Sequence, residues 1–108
     1  TTNWRISWII TLQYDTTIEQ LKKVRDEIEK YITSSKDYKI SENTEHAVRV
    51  DKFSDSSIDM YVRCFTVTDD WSEWLKVKER LALNIKEIVE KNQASFAFPS
   101  QSIYVEKK

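Results

Sequence analysis

Apolar and polar residues alternate along three stretches of the chain, a pattern typical of β-strands with one covered face. The first stretch, Trp4 to Tyr14, carries isoleucine, tryptophan and leucine at every second position. The second runs from Ala47 to Phe53 and the third from Ile58 to Thr68, with the polar letters SDSS between them. Two strands joined by a short polar turn predict an antiparallel hairpin.

Two other stretches carry apolar residues at helical spacing. The stripe of the first consists of Ile18, Leu21, Val24, Ile28, Tyr31 and Ile32. The stripe of the second consists of Trp71, Trp74, Leu75, Leu81, Ala82, Ile85, Ile88 and Val89. Each spacing predicts an amphipathic helix that packs its stripe on the sheet. Leu83 falls nearly opposite the second stripe, on a charged face.

Residues typical of helix termini flank both stripes. Thr16 and Glu19 have the spacing of a capping box before the first helix, which we expect to end around residues 33–35. Asp70 and Glu73 have N-cap spacing before the second helix. Asn92 stands where that helix would stop, and asparagine is the usual substitute for glycine in a left-handed C-terminal position.

The remaining segments complete the predicted order of elements. Residues 36–46 are polar and predict a loop, although Tyr38 and Ile40 interrupt it. The last stretch, FAFPSQSIYVE, ends in an alternation of Ile103 and Val105 that predicts a closing strand. The order β-α-β-β-α-β predicts an α+β fold, a ferredoxin-like sandwich with two helices packed on one face of an antiparallel sheet.

Composition narrows the function classes. A length of 108 residues fits one domain, and a formal net charge of −1 does not favour nucleic acid or anionic lipid. The chain has no glycine, which excludes Gly-rich phosphate loops and dinucleotide fingerprints. Its one cysteine allows no internal disulfide. No apolar run approaches the ~20 residues of a membrane span, and no signal-peptide pattern opens the chain.

No set of side chains predicts catalysis or a bound cofactor. Cys64 falls on the inward face of a strand, where a buried thiol is usually inert, and pairing it with His46 as a nucleophile is the weaker interpretation. The acidic pairs Asp69-Asp70 and Asp26-Glu27 fit helix caps and solvated faces better than acid/base dyads. We therefore expect no enzyme activity, no catalytic or metal-binding residue and no cofactor.

The outward sheet face is the sharper candidate. Alternation places Tyr61, Arg63 and Phe65 there, with Tyr104 on the closing strand, near Arg5 and Arg49. Aromatic and arginine side chains on such a sheet can stack and hold single-stranded RNA. The glycines of an RNA-recognition motif are absent from YVRCF, so contact with a neighbouring domain or subunit is the favoured interpretation.

These pieces together resemble the C-terminal cytoplasmic domain of the small-conductance mechanosensitive ion channel (MscS) family. TTNWR resembles the family's Asn-aromatic segment, where the chain leaves a middle β domain. ITLQYDTTIEQLKKVRDEIEKYI resembles its first strand and helix, and VRVDKFSDSSIDMYVRCFT its hairpin. FAFPSQSIYVE resembles the closing motif, an aromatic-proline segment that leads into a final strand. Asn92 stands where family members commonly have glycine, and Ala97 where some have a second proline.

The resemblance implies that residues 1–108 are one cytoplasmic domain of a longer channel, whose transmembrane helices and middle β domain are absent. It implies a non-catalytic vestibule domain on the cytoplasmic side of a membrane. Copies would assemble as a homoheptamer with the rest of the channel, and the vestibule would pass ions and solutes during osmotic stress. The alternative is a soluble ferredoxin-like RNA- or ligand-binding module that uses the Tyr61/Arg63/Phe65 face.

The chain's lone proline lies in the closing motif. Pro99 lacks an N–H and fixes φ, so it prevents helix continuation and directs the last strand. We expect Pro99→Ala to disturb assembly more than monomer folding. The candidate subunit or domain interface comprises Tyr61, Arg63, Phe65, Leu83, Phe98, Pro99 and Tyr104.

Overall fold

A computed structural model describes residues 5–41 and 45–97. The elements there are β1 (Arg5–Gln13), α1 (Ile18–Ser34), β2 (Ala47–Phe53), β3 (Ser57–Phe65) and α2 (Trp71–Lys91). The strands form an antiparallel sheet in the order β1-β3-β2, and the two helices contribute their apolar stripes to one core. The predicted α+β fold is confirmed. The predicted closing strand, at Ile103 and Val105, lies outside the described residues.

The predicted hairpin forms the centre of the sheet. β3 pairs with both other strands, and Val62 faces Trp8 on one side and Val48 on the other. The β2 register shifts between Val50 and Lys52, which marks a bulge in this edge strand. The even-numbered residues of β3 therefore face the helices, and its odd-numbered residues face away.

The core lies between the sheet and the helices. Its fully enclosed side chains come from every described element: Ile6, Leu12, Ile28, Ile32, Met60, Leu81, Val24, Val48, Val62, Val77 and Val89. Tyr38 also packs into this core at 4% exposure, and its segment bridges Thr66. Residues 36–41 are thus partly fixed by tertiary contacts, where the sequence predicted only a loop.

The first capping prediction was wrong by one residue. The N-cap of α1 is Thr17, and its partner in the reciprocal capping box is Gln20. The Thr16 hydroxyl instead donates to the Gln13 carbonyl at 2.6 Å. Gln20 Nε2 also donates to the carbonyls of Asn92 and Gln93, at 2.9 and 3.0 Å. This contact joins the start of α1 to the end of α2.

The second cap is confirmed at its start and shifted at its end. The Asp70 carboxylate accepts from the Glu73 backbone N–H, as predicted. Asn92 is the C-cap, but its φ is −94°, and the left-handed residue is Gln93 with φ 59°. The Asn92 amide instead donates to the Ile88 carbonyl at 2.9 Å and to Glu27 at 3.3 Å. Its side chain therefore closes the helix end.

The predicted stripe of α2 needs correction at three positions. Trp71 and Leu75 are 60% and 36% exposed, and Ala82 is also exposed. Val77, which the prediction omitted, is buried. The start of α2 is thus less covered than its middle, although Trp74 in the same turn packs partly against the core.

The chain after α2 runs back along the free edge of β1. The Gln13 N–H donates to the Ser95 carbonyl at 3.0 Å, and the Ala97 N–H donates to the Thr11 carbonyl at 2.9 Å. Leu12 and Phe96 form an antiparallel bridge. Residues 95–97 therefore cover the edge of β1. Within the described ranges, neither helix has a stretch apolar enough to cross a membrane.

Candidate subunit interface

The helices leave one face of the sheet uncovered, which we call the outer sheet face: Ile9, Tyr61, Arg63 and Phe65. Alternation along β1 and β3 brings these side chains together, since Ile9 pairs with Tyr61 across the strands. Ile9 is 52% exposed, and the other three are half-buried. The sequence therefore predicted correctly that Tyr61, Arg63 and Phe65 share a face, but its candidate set omitted Ile9.

Tyr61 is fixed by a hydrogen bond on this face. Its hydroxyl lies 2.8 Å from the Ser7 hydroxyl of the neighbouring strand. Across the other strand boundary, Tyr61 pairs with Arg49. The polar end of Tyr61 is thus already engaged within the sheet.

Arg63 is incompletely satisfied within the chain. It pairs with Ser7 on β1 and with Ala47 on β2, both short residues. Its Nε is buried and has no hydrogen-bond partner. No carboxylate of the described residues forms an ion pair with it. A buried unpaired N–H costs about 1–3 kcal/mol, so Arg63 is a group that a partner acceptor would satisfy.

The acid on the same side of β3 is engaged within the hairpin. Asp59 is 7% exposed and lies four residues before Arg63. Its carboxylate accepts from the Ser54 hydroxyl at 2.8 Å and from the Ser57 hydroxyl at 3.1 Å. Asp59 therefore braces the hairpin turn and forms no ion pair with Arg63.

Leu83 does not join this face. It is 60% exposed on α2, in the helix layer, while the outer sheet face lies on the other side of the sheet. Phe98, Pro99 and Tyr104 lie outside the described residues, as does the proposed role of Pro99 in directing the last strand. The four described residues of the predicted set therefore lie on two separate surfaces.

Sequence reasoning missed an exposed aromatic pair at the hairpin end. The rings of Tyr14 and Phe53 meet edge to face, with centroids 6.2 Å apart. They are 62% and 66% exposed. Their positions after one strand and at the end of another carried the signal, because strand ends extend beyond the helices that cover the sheet centre.

Cys64 has the environment of a core residue. It is fully buried, and desolvation raises the pKa of its thiol to about 12. The His46 imidazole is engaged elsewhere, with Nε2 3.2 Å from a Glu29 carboxylate oxygen. A thiol protonated at neutral pH is a poor nucleophile. Among residues 5–41 and 45–97, no three His, Cys, Asp or Glu side chains converge as metal ligands.

Residues 6–96 match the family model of the mechanosensitive ion channel MscS C-terminal domain. An uncharacterized MscS family protein of Helicobacter pylori (strain ATCC 700392 / 26695) is 46% identical over 92 residues, which are 85% of this chain and 15% of that protein. The low conductance mechanosensitive channel YnaI of Escherichia coli (strain K12) is 37% identical over 106 residues, 97% of this chain and 30% of YnaI.

Solved structures share the fold. Arabidopsis thaliana MSL1, determined by cryo-EM, aligns with a TM-score of 0.80 at 16% identity, over 91% of this chain and 35% of that one. The crystal structure of Helicobacter pylori MscS in its closed state aligns with a TM-score of 0.67 at 22% identity, over 91% of this chain and 36% of that one.

The fold and the matched model define a domain of ion channels, a class distinct from enzymes. The chain belongs to the mechanosensitive ion channel MscS family, and residues 6–96 correspond to its C-terminal domain. The chain spans 15% and 30% of the length of these two relatives.

Proposed function

We propose that this chain is the non-catalytic cytoplasmic vestibule domain of a tension-gated small-conductance mechanosensitive channel. The observation that carries the proposal is the family match over residues 6–96. The 37% identity to YnaI, a protein named as a low conductance mechanosensitive channel, supports it. The pore belongs to parts of the complete protein outside this chain.

The domain, residues 1–108, assembles with further copies of itself, as a heptamer, and with the rest of the channel. In this role it supports assembly and lets ions and solutes reach the pore during osmotic stress. The uncovered outer sheet face supports such a role, because Arg63 lacks an acceptor within the described chain and Ile9 is half exposed. A surface of this kind gains from a protein partner.

Reconstitution of the complete gene product into liposomes tests the function. We expect suction on an excised patch to open discrete single-channel currents, with none in protein-free liposomes. A preparation that assembles in the bilayer but passes no current up to the tension that ruptures the patch would contradict channel function.

The cytoplasmic placement is tested in the same protein. A Lys22→Cys substitution puts a thiol on an exposed position of α1, outside the outer sheet face and outside α2. A membrane-impermeant maleimide should label it in inverted vesicles and not in intact cells. Labelling in intact cells would put the domain on the other side of the membrane.

Single-stranded RNA or ligand binding by the outer sheet face is the second candidate, favoured by the unpaired Nε of Arg63. Family membership favours the channel role, and no nucleic acid partner is expected. An RNA binder would show an affinity that falls steeply with salt. Fluorescence anisotropy with a labelled single-stranded RNA separates the two, and tight, salt-sensitive binding would favour the alternative.

A further inference from the structure

One exposed face of α2 has an apolar centre and unpaired acids, and we call it the α2 outer face: Glu79, Leu83 and Glu87. Residues four apart on a helix are neighbours, so the two glutamates flank Leu83 from either side. All three are exposed, with Leu83 at 60%. Within the described residues, neither glutamate forms an ion pair.

Two of the cations beside this face are already engaged. Arg80 Nη2 lies 2.9 Å from Asp37 Oδ2, in a contact that ties α2 to the segment after α1. Lys86 pairs with Glu90 one turn further along. Lys76, one turn before Glu79, is exposed, so the two unpaired glutamates against this one lysine leave a net negative charge around Leu83.

The outer sheet face has the opposite character. Arg63 has a buried, unpartnered Nε, and Arg5 is an exposed cation that pairs across the strands with Phe65. Asp59, the acid on the same side of β3, stands four residues from Arg63 and accepts hydrogen bonds from two serine hydroxyls. The charge left unpaired around Phe65 and Ile9 is therefore positive.

We infer that the α2 outer face of one copy docks on the outer sheet face of the next copy in the assembly. The inference rests on the proposed homo-oligomer. It pairs an apolar centre flanked by glutamates with an apolar centre flanked by arginines, and it supplies the acceptor that Arg63 lacks. Charge-assisted bonds between arginine and carboxylate are among the stronger polar contacts.

The geometry suits a ring. Glu79 and Glu87 are eight residues apart, roughly 12 Å along a helix. Arg5 and Arg63 are diagonal neighbours across two strands, roughly 7–8 Å apart, and their long side chains extend the span. Two different faces in contact make a head-to-tail interface, which closes into a ring or continues as a filament. Packing two outer sheet faces together would instead oppose arginines with arginines.

Cross-linking in the complete gene product tests the contact. A chain with Ile9→Cys and Leu83→Cys, treated in membranes with a short bismaleimide, should give a ladder of covalent multimers. Each single-cysteine chain should give no ladder, because like faces do not meet. The unaltered chain is the control, since its own Cys64 is buried. A ladder from either single variant, or none from the double variant, overturns the inference.

A charge swap tests the pairing itself. Arg63→Glu and Glu87→Arg, each added to the double-cysteine chain, should lower the cross-linked fraction about tenfold, within the range of coupled interface pairs. The two together should restore it, because Glu at 63 then faces Arg at 87. Glu19→Arg, the same charge change on an exposed residue of α1 outside both faces, should leave cross-linking unchanged. If the chain with both charge swaps cross-links no better than the two single swaps predict together, the pairing is overturned.

Native mass spectrometry and patch recordings of the same preparation separate the two proposals. If the protein is an oligomer that conducts under tension but does not cross-link, only the assignment of the two faces is wrong. If it is a monomer without conductance, the proposed function is wrong as well as the interface.

Discussion

The two faces of β3 differ although they share one backbone and one register. Ile58, Met60, Val62 and Cys64 point toward the helices and are at most 3% exposed. Tyr61, Arg63 and Phe65 point the other way and are half-buried. The first row is enclosed by this chain's own helices, while the second row holds a buried Nε without an acceptor.

The first row specifies the fold. The second row is open on the folded chain, and a partner would cover it in the assembly we propose. A core row is fixed by packing within the chain, so its changes should appear as lost stability. A row left open on a folded sheet should affect the free chain little and its assembly more. Measurements that compare the two rows on the same strand therefore test the division directly.

The largest loss of stability is expected from a change in the core row of β3. Met60→Ala removes a fully enclosed side chain and leaves a cavity, which should lower the free energy of unfolding by about 2–5 kcal/mol. Ile9→Ala, a matched truncation on the outer sheet face, should cost well under half of that. Urea unfolding followed by circular dichroism measures both. Equal losses would mean that the outer row is also part of a packed core.

The stability of the fold should fall at alkaline pH because of Cys64. Burial raises the pKa of its thiol from 9.0 to about 12, so between these values the unfolded chain releases a proton that the folded chain keeps. Stability is therefore retained below pH 9 and lost as pH rises toward 12, at up to about 1.4 kcal/mol per pH unit from this group.

Tyr38, whose pKa burial also raises, contributes in the same direction. The Cys64 share is isolated by comparison with Cys64→Ala, whose stability should fall less steeply over this range. Urea midpoints at a series of pH values provide the slopes. Identical slopes for the two chains would show that the thiol is not desolvated in the folded state.

A smaller loss is expected at Tyr61. Tyr61→Phe removes the 2.8 Å bond to the Ser7 hydroxyl while keeping the ring, and should cost about 0.5–1 kcal/mol. Ser7→Ala is the matched change on the other partner. If the bond exists, the double variant should cost less than the two singles summed. Full additivity would rule out the bond.

The smallest loss of stability is expected at Arg63. Arg63→Met keeps a long apolar stem and removes the buried, unpartnered N–H, so the free energy of unfolding should not fall and should rise by up to about 1–3 kcal/mol. Chemical denaturation of the chain alone measures it. A loss above about 1 kcal/mol would mean that Arg63 already has a stabilising contact within the chain.

Local patterns were sufficient for the strands and helices, because periods of two and of 3.6 residues report directly which side is buried. They were not sufficient for the N-cap of α1. Thr16 and Thr17 are each followed three residues later by a side chain that fits a capping box. The choice falls on Thr17 because Gln20 also binds carbonyls at the end of α2, a contact that no local pattern contains.

The same limit applies to Trp71 and Tyr38. The helical period placed Trp71 on the buried stripe, but the described residues leave its side chain 60% exposed. Tyr38 stands in a polar segment and is nevertheless buried, because its segment bridges Thr66 beside β3. In both cases the exposure of the side chain depends on contacts with elements distant in sequence.

The candidate interface was partly predictable for the same reason. Alternation placed Tyr61, Arg63 and Phe65 on one face, and the helical period placed Leu83 on another. Neither pattern shows that Asp59 is held by the Ser54 and Ser57 hydroxyls, or that the Nε of Arg63 is buried without a partner. That requires the geometry of the turn.

The bulge in β2 lowers the risk that strand edges of adjacent copies pair with each other. Copies held side by side in one assembly experience a high local concentration, under which exposed strand edges tend to fuse into aggregates. One edge of this sheet is bent at Val50 and Lys52, and the other is covered by residues 95–97. Neither edge offers a straight template for another strand. In the assembly we propose, neighbouring domains would therefore meet through their side chains without joining their sheets.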